Sequence, residues 1–129
     1  MHWNRVLGLS SLVVALAFAS PASAARIQGV GSQLCSKFNE NVRTMVVGPG
    51  DISWEQYAYA WAQGWLSRLN VDREATGRAT VPDLSPDGFG PKEQMAFMRN
   101  YCASYPAQQY ARGVDEIYGR LLRMYGLIS

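Results

Sequence analysis

Two cysteines, Cys35 and Cys102, are the only thiols in this chain of 129 residues, and a bond between them would tie together positions 67 residues apart. Whether they bond depends on the compartment, and the N-terminus speaks to that. His2 and Arg5 form a short basic region, and Val6 to Ala19 is almost wholly apolar. That run fits the hydrophobic stretch of a secretory signal and is too short for a membrane span. Pro21 breaks it, and Ala22-Ser23-Ala24 supplies the small-x-small pattern of a cleavage site. Residues 1–24 therefore read as a signal peptide cut after Ala24, with an uncleaved anchor as the alternative. In an exported chain an even pair of cysteines reads as one disulfide. The chain-entropy argument values that loop closure at roughly 4 kcal/mol, a large share of the ~5–15 kcal/mol that holds a small domain together. A redox or nucleophilic cysteine is the functional alternative. It lacks a C-x-x-C spacing and a histidine to activate the thiolate.

Cleavage would remove His2, the only histidine. A mature chain without imidazole has no Ser-His-Asp or Cys-His nucleophile system, no histidine-containing zinc site and no histidine general base. No glycine pattern matches a phosphate loop, and Asp72-x-Glu74 is too sparse for a calcium loop. The expectation is a non-enzyme with no cofactor and no metal. Twelve basic residues against ten acidic ones, a net +2, give no single-sign field that points to nucleic acid. No later segment approaches the length of an apolar membrane span, so the mature form is expected to be soluble, most simply in the bacterial periplasm.

Residues 25–129 are long enough for one domain, and their periodicity is helical throughout. Ser32 to Arg43 carries Leu34, Cys35, Phe38 and Val42 on one face, with Ser32 as the expected N-cap. Gly48-Pro49-Gly50-Asp51 is turn punctuation. Ser53 to Leu69 is the clearest helix. Ser53 and Gln56 form a capping box, and Trp54, Tyr57, Trp61, Trp65 and Leu69 recur at three- and four-residue spacing. Ala58, Ala62 and Leu66 flank that face, Ala60 and Gly64 make a ridge where another helix could approach, and Asn70 is the expected stop. Val71 to Gly90 reads as a long connection, either a functional loop or one hiding a short turn of helix. Pro91 opens a third helix with Met95, Met98, Tyr101, Cys102 and Tyr105 on its apolar face. Pro106 is the expected start of a fourth, in which Tyr110, Val114, Ile117, Leu121 and Tyr125 repeat. The expected fold is all-α: a four-helix domain with the disulfide joining the first helix to the third.

Candidate sites are few. The Trp/Tyr-rich face of the second helix reads as core rather than as a ligand-stacking surface. Tyr59 points off that face and is the expected exposed aromatic; with Trp65 and Arg68 it forms the candidate protein-binding set. Glu55, Asp72, Glu74, Asp83 and Asp87 show no acid/base spacing, and Arg68, Arg73 and Arg78 are interleaved with acids.

The run Trp61-Ala62-Gln63-Gly64-Trp65-Leu66-Ser67-Arg68-Leu69-Asn70 resembles a phrase of small exported bacterial proteins. Tyr101-Cys102, then Pro106 and the helix containing Tyr118, resembles their second block, and Cys35-x-x-Phe38 completes the pattern. That group is similar to the HdeA-type periplasmic acid-stress chaperones, and more distantly to immunity proteins of the Tai kind that neutralise secreted peptidoglycan amidases. The wider cysteine separation and the Val71–Gly90 insertion depart from the HdeA pattern. The resemblance implies binding to unfolded proteins under stress, with a homodimer as a further possibility; the alternative is a partner-specific immunity or inhibitor protein. Without histidine, an acid trigger must act through carboxylates, which ordinarily titrate near pH 4. Protonating the ten of them would move the mature charge from about +1 towards +11 and loosen a small domain by self-repulsion.

Overall fold

A computed structural model describes residues 27–78 and 80–129. The signal segment 1–24 and the cut after Ala24 lie outside the described residues. A 3-10 turn at Gly29–Ser32 leads into four helices: α1 (Cys35–Thr44), α2 (Trp54–Ala75), α3 (Pro91–Ser104) and α4 (Tyr110–Met124). Among the described residues there is no strand, only one isolated bridge between Leu34 and Gln109. The fold is the expected all-α four-helix domain, and Cys35 and Cys102 are bonded, with Cα atoms 4.7 Å apart, joining α1 to α3. No helix among the described residues is long and apolar enough to cross a membrane.

The amphipathic α4 is the spine. Tyr110, Val114, Ile117 and Leu121 are buried as their spacing predicts, and Ala111, Gly113, Tyr118 and Leu122 widen the buried stripe. Phe38, Cys35, Met98, Cys102, Leu66 and Phe89 close the core around it. Tyr125, expected on this face, lies beyond the helix and is exposed.

The helix ends differ from the sequence reading for one recurrent reason: distant groups satisfy them. Ser32 does not cap α1. Its hydroxyl donates to the Gly29 carbonyl inside the 3-10 turn, and Leu34 occupies the cap position. The orphan N–H groups of Cys35 and Ser36 donate instead to the carbonyls of Gln108 (2.7 Å) and Pro106 (2.9 Å). The Tyr110 N–H returns a bond to the Gln33 carbonyl at 2.9 Å, so α4 starts at Tyr110 and not at Pro106. The capping box of α2 forms as predicted, with Ser53 and Gln56 each accepting from the other's backbone N–H. Asn70 does not stop α2. Its amide donates to the Pro82 carbonyl at 3.1 Å and its oxygen accepts from Tyr118 Oη at 2.9 Å. A residue held on both sides by tertiary partners has no reason to leave the helix, which runs on to Ala75.

The connection from α2 to α3 is accordingly shorter than its composition suggests, and it is fastened. Arg73 Nε donates to the Thr80 carbonyl at 2.9 Å. Pro82, Pro86 and Phe89 are buried. Gln94, wholly buried in α3, donates through Nε2 to the carbonyls of Leu84 and Phe89, both at 2.8 Å. Pro91 starts α3 at the first helical position, as expected.

Candidate protein-binding surfaces

The aromatic face of α2 sits one step away from where its spacing puts it. The residues that meet the core are Ala58, Tyr59, Ala62 and Leu66. Trp54, Trp61, Trp65 and Leu69 are half-buried beside them, and Tyr57 is exposed. The small side chains at 58 and 62 let α2 lie close against its neighbours, and the indoles then cover the seam from the flank. Trp61 stacks on Trp65 with ring centres 5.3 Å apart and meets Tyr110 edge-on at 6.2 Å. Its indole also fills the space beside Gly31 in the 3-10 turn, where a Cβ would overlap the ring.

The three residues singled out for binding separate. Tyr59 is a core residue, only 6% exposed, and its hydroxyl donates to Gln94 Oε1 at 2.9 Å; burial pushes its pKa up. The exposed tyrosine of this stretch is Tyr57. Trp65 and Arg68 do come together, the guanidinium lying 5.0 Å from the indole ring centre. Arg68 also pairs with Asp72 at 3.6 Å, and Trp65 Nε1 donates to Asp115 Oδ1 at 2.8 Å. Among the described residues no helix docks on the Ala60–Gly64 ridge. A Cβ on Gly64 would meet nothing within 4 Å, and the ridge lines an open groove of about 370 Å³ with Trp61, Trp65 and Arg68.

A surface that periodicity missed lies at the α1–α2 connection. Met45, Val47, Ile52, Trp54 and Tyr57 border a shallow, almost purely apolar groove of about 320 Å³. Val46 beside it is 93% exposed. The signal in the sequence is the apolar triplet Met45-Val46-Val47 abutting the Gly48-Pro49-Gly50 turn: a loop has no face on which to bury three consecutive apolar side chains. Contiguous apolar surface of this kind marks contact sites more often than scattered apolar residues do.

A third surface runs between α3 and α4. Phe97, Tyr101 and Tyr105 line one side of an open groove of about 590 Å³, and Arg112, Asp115 and Glu116 line the other. Tyr105, expected on the apolar face of α3, is exposed here.

The acidic residues do not converge on an acid/base pair. Glu55 pairs with Arg99 of α3, Asp72 with Arg68 of its own helix, and Asp83 accepts from the Ser85 N–H. Among the described residues no group of three or more His, Cys, Asp or Glu side chains is placed to hold a metal ion. The chain matches no protein family, no curated protein and no solved structure.

Proposed function

We propose that the chain is an exported, periplasmic, non-enzymatic helical protein that binds other proteins, in the manner of the HdeA-like acid-stress chaperones it resembles. One observation carries this reading: the ionic ties of α2 to the rest of the fold run through carboxylates, whereas α1, α3 and α4 are joined by other means. Glu55 holds Arg99 of α3, and Asp115 of α4 accepts from the Trp65 indole. The remaining helices are linked by the disulfide and by main-chain bonds around Gln33, Cys35, Ser36 and Tyr110, none of which titrates with acid. The Glu55–Arg99 ion pair contributes about 0–1 kcal/mol and the charge-assisted Asp115–Trp65 bond about 1.5–3 kcal/mol. Beside these ties, among the described residues only the neutral Tyr59–Gln94 and Tyr118–Asn70 bonds and apolar packing hold α2 to the other helices. Against a total of ~5–15 kcal/mol, rising self-repulsion in acid loosens it from the disulfide-joined helices and uncovers Trp61, Trp65 and Leu66.

The test takes a client enzyme to pH 2–3 and back to neutrality, with and without the unreduced protein, and follows light scattering. Protection is expected, and Glu55→Gln with Asp115→Asn should make it appear at less acid pH. Absence of protection at several-fold excess, with the disulfide verified intact, removes the chaperone reading. A partner-specific inhibitor or immunity protein would then lead, a reading favoured by the Met45–Tyr57 groove, which is open without any trigger.

A further inference from the structure

We propose that the groove between α3 and α4 receives a basic side chain, the guanidinium or ammonium group of an arginine or lysine in an extended partner segment, laid on Tyr101 and Tyr105 and paired with Glu116. The proposal does not depend on acid release of α2, because the groove is open in the folded protein.

The first support is the aromatic row. Phe97 and Tyr101 stand four residues apart on α3 and Tyr105 follows at its C-terminal cap, packed on Tyr101, so the three form one row while Met98 and Cys102 fill the core. Phe97 and Tyr101 are stacked at 6.3 Å, and Tyr101 and Tyr105 lie 4.9 Å apart. Phe89 extends the row, edge-on to Phe97 at 6.2 Å. Such faces carry negative quadrupole potential and attract cations within about 6 Å.

The second support is that the chain already fills two such seats with its own arginines. Arg120 lies 4.1 Å from the ring centre of Phe89, at the far end of the row. Arg68 lies over Trp65 and is held from the side by Asp72. At Phe89 the ring alone seats the guanidinium, and at Trp65 an aromatic face beside a carboxylate does. The Tyr101–Tyr105 end offers the same pair of elements. Glu116 stands close enough to Tyr101 for its charge, after burial, to help push that phenol's pKa up.

The third support is the charge balance of the rim. Arg112 is the one cation there, and it pairs with Asp115 at 3.8 Å. Asp115 also takes the Trp65 indole. Glu116 makes no ion pair or hydrogen bond with any described residue. The groove thus has one negative charge to spare beside an aromatic floor. The whole chain carries a net positive charge, so a basic ligand gains nothing from the overall field and must be held locally.

The experiment is fluorescence anisotropy of a labelled Gly-Arg-Ser repeat peptide with the full, unreduced protein at pH 7 and low salt. Saturable binding is expected, with Glu116→Gln and Tyr105→Ala each weakening it about threefold to tenfold. Glu93→Gln, in the first turn of α3, should leave it unchanged. A Gly-Glu-Ser repeat should not bind. The proposal is overturned by no binding of the arginine peptide, by equal binding of the two peptides, or by indifference to both groove variants. It is also overturned if an N-acetylglucosamine oligomer binds in the groove and the peptide does not. No client protein and no acid step enters the measurement, so its failure is distinct from failure of the chaperone reading.

Discussion

Gln94 is the polar centre of the core, and removing it should show how tightly α2, α3 and their connection are coupled. Its side chain is wholly buried and fully used: Nε2 donates to the carbonyls of Leu84 and Phe89, and Oε1 accepts from Tyr59 Oη. Gln94→Leu keeps much of the volume and strands three polar groups. Each stranded buried group costs about 1–3 kcal/mol. Partial relaxation and the added apolar contact bring the expected loss to about 3–5 kcal/mol. Tyr59→Phe alone removes one bond and leaves Oε1 unpaired, a loss of about 1–2 kcal/mol. In the Gln94→Leu background the same Tyr59→Phe change deletes a hydroxyl that has already lost its Gln94 partner, so it should cost little. The double variant should therefore be more stable than the sum of the singles by about 1–2 kcal/mol. Urea unfolding of the four proteins, disulfide intact and with a common slope, measures this. Additivity within about 0.5 kcal/mol would show that Tyr59 and Gln94 do not share a bond.

Two further predictions concern glycine and tyrosine. Gly64→Ala should stabilise α2 by about 1 kcal/mol, since the new methyl meets open space and helix propensity improves. Gly113→Ala in α4 should destabilise by about 1–3 kcal/mol despite the same gain, because its Cβ would lie 2.6 Å from Met98 Cε and Tyr101 Cδ1; thermal melts that move in the same direction would refute the pair. Burial raises the pKa values of Tyr59, Tyr110 and Tyr118 in the folded state. The unfolded chain therefore releases those protons first, so their contribution to stability is complete below about pH 10 and declines above it. The last part of the tyrosinate absorbance, from these buried rings, should rise together with loss of helical circular dichroism, and ionisation of all tyrosines without unfolding would contradict the burial.

The parts of the fold that could be read from sequence are those decided locally or by counting. Two thiols leave one pairing, the Ser53/Gln56 box needs only four residues, and Pro91 fits a first turn. The missed features depend on partners far along the chain. Asn70 is a stop signal until Pro82 and Tyr118 reach it. Ser32 is a good cap until the carbonyls of Pro106 and Gln108 take its place. Periodicity centred on the tryptophans turns Tyr59 outward. Indoles are too large to sit under a close helix crossing, so alanines took the centre and Tyr59 turned inward to Gln94. Gln94 itself stands four residues before Met98 and eight before Cys102, a polar residue in core register. That position was a legible sign of a buried hydrogen-bond hub. The exposed surfaces were harder to foresee. The Met45–Tyr57 groove depends on where the turn sends α2, and the α3–α4 groove on residues too far apart to share a motif.

The Cys35–Cys102 bond also defines a ring, and α2 lies inside it while α4 lies outside. A helix that detaches within a closed ring stays tethered at both ends, so its return is a short search whose entropic cost grows only slowly with loop length. A protease that nicks the 76–90 connection would produce two pieces that part only when a reductant is added. Reversibility in such a molecule is topological: α2 can let go of its neighbours many times without ever leaving their vicinity.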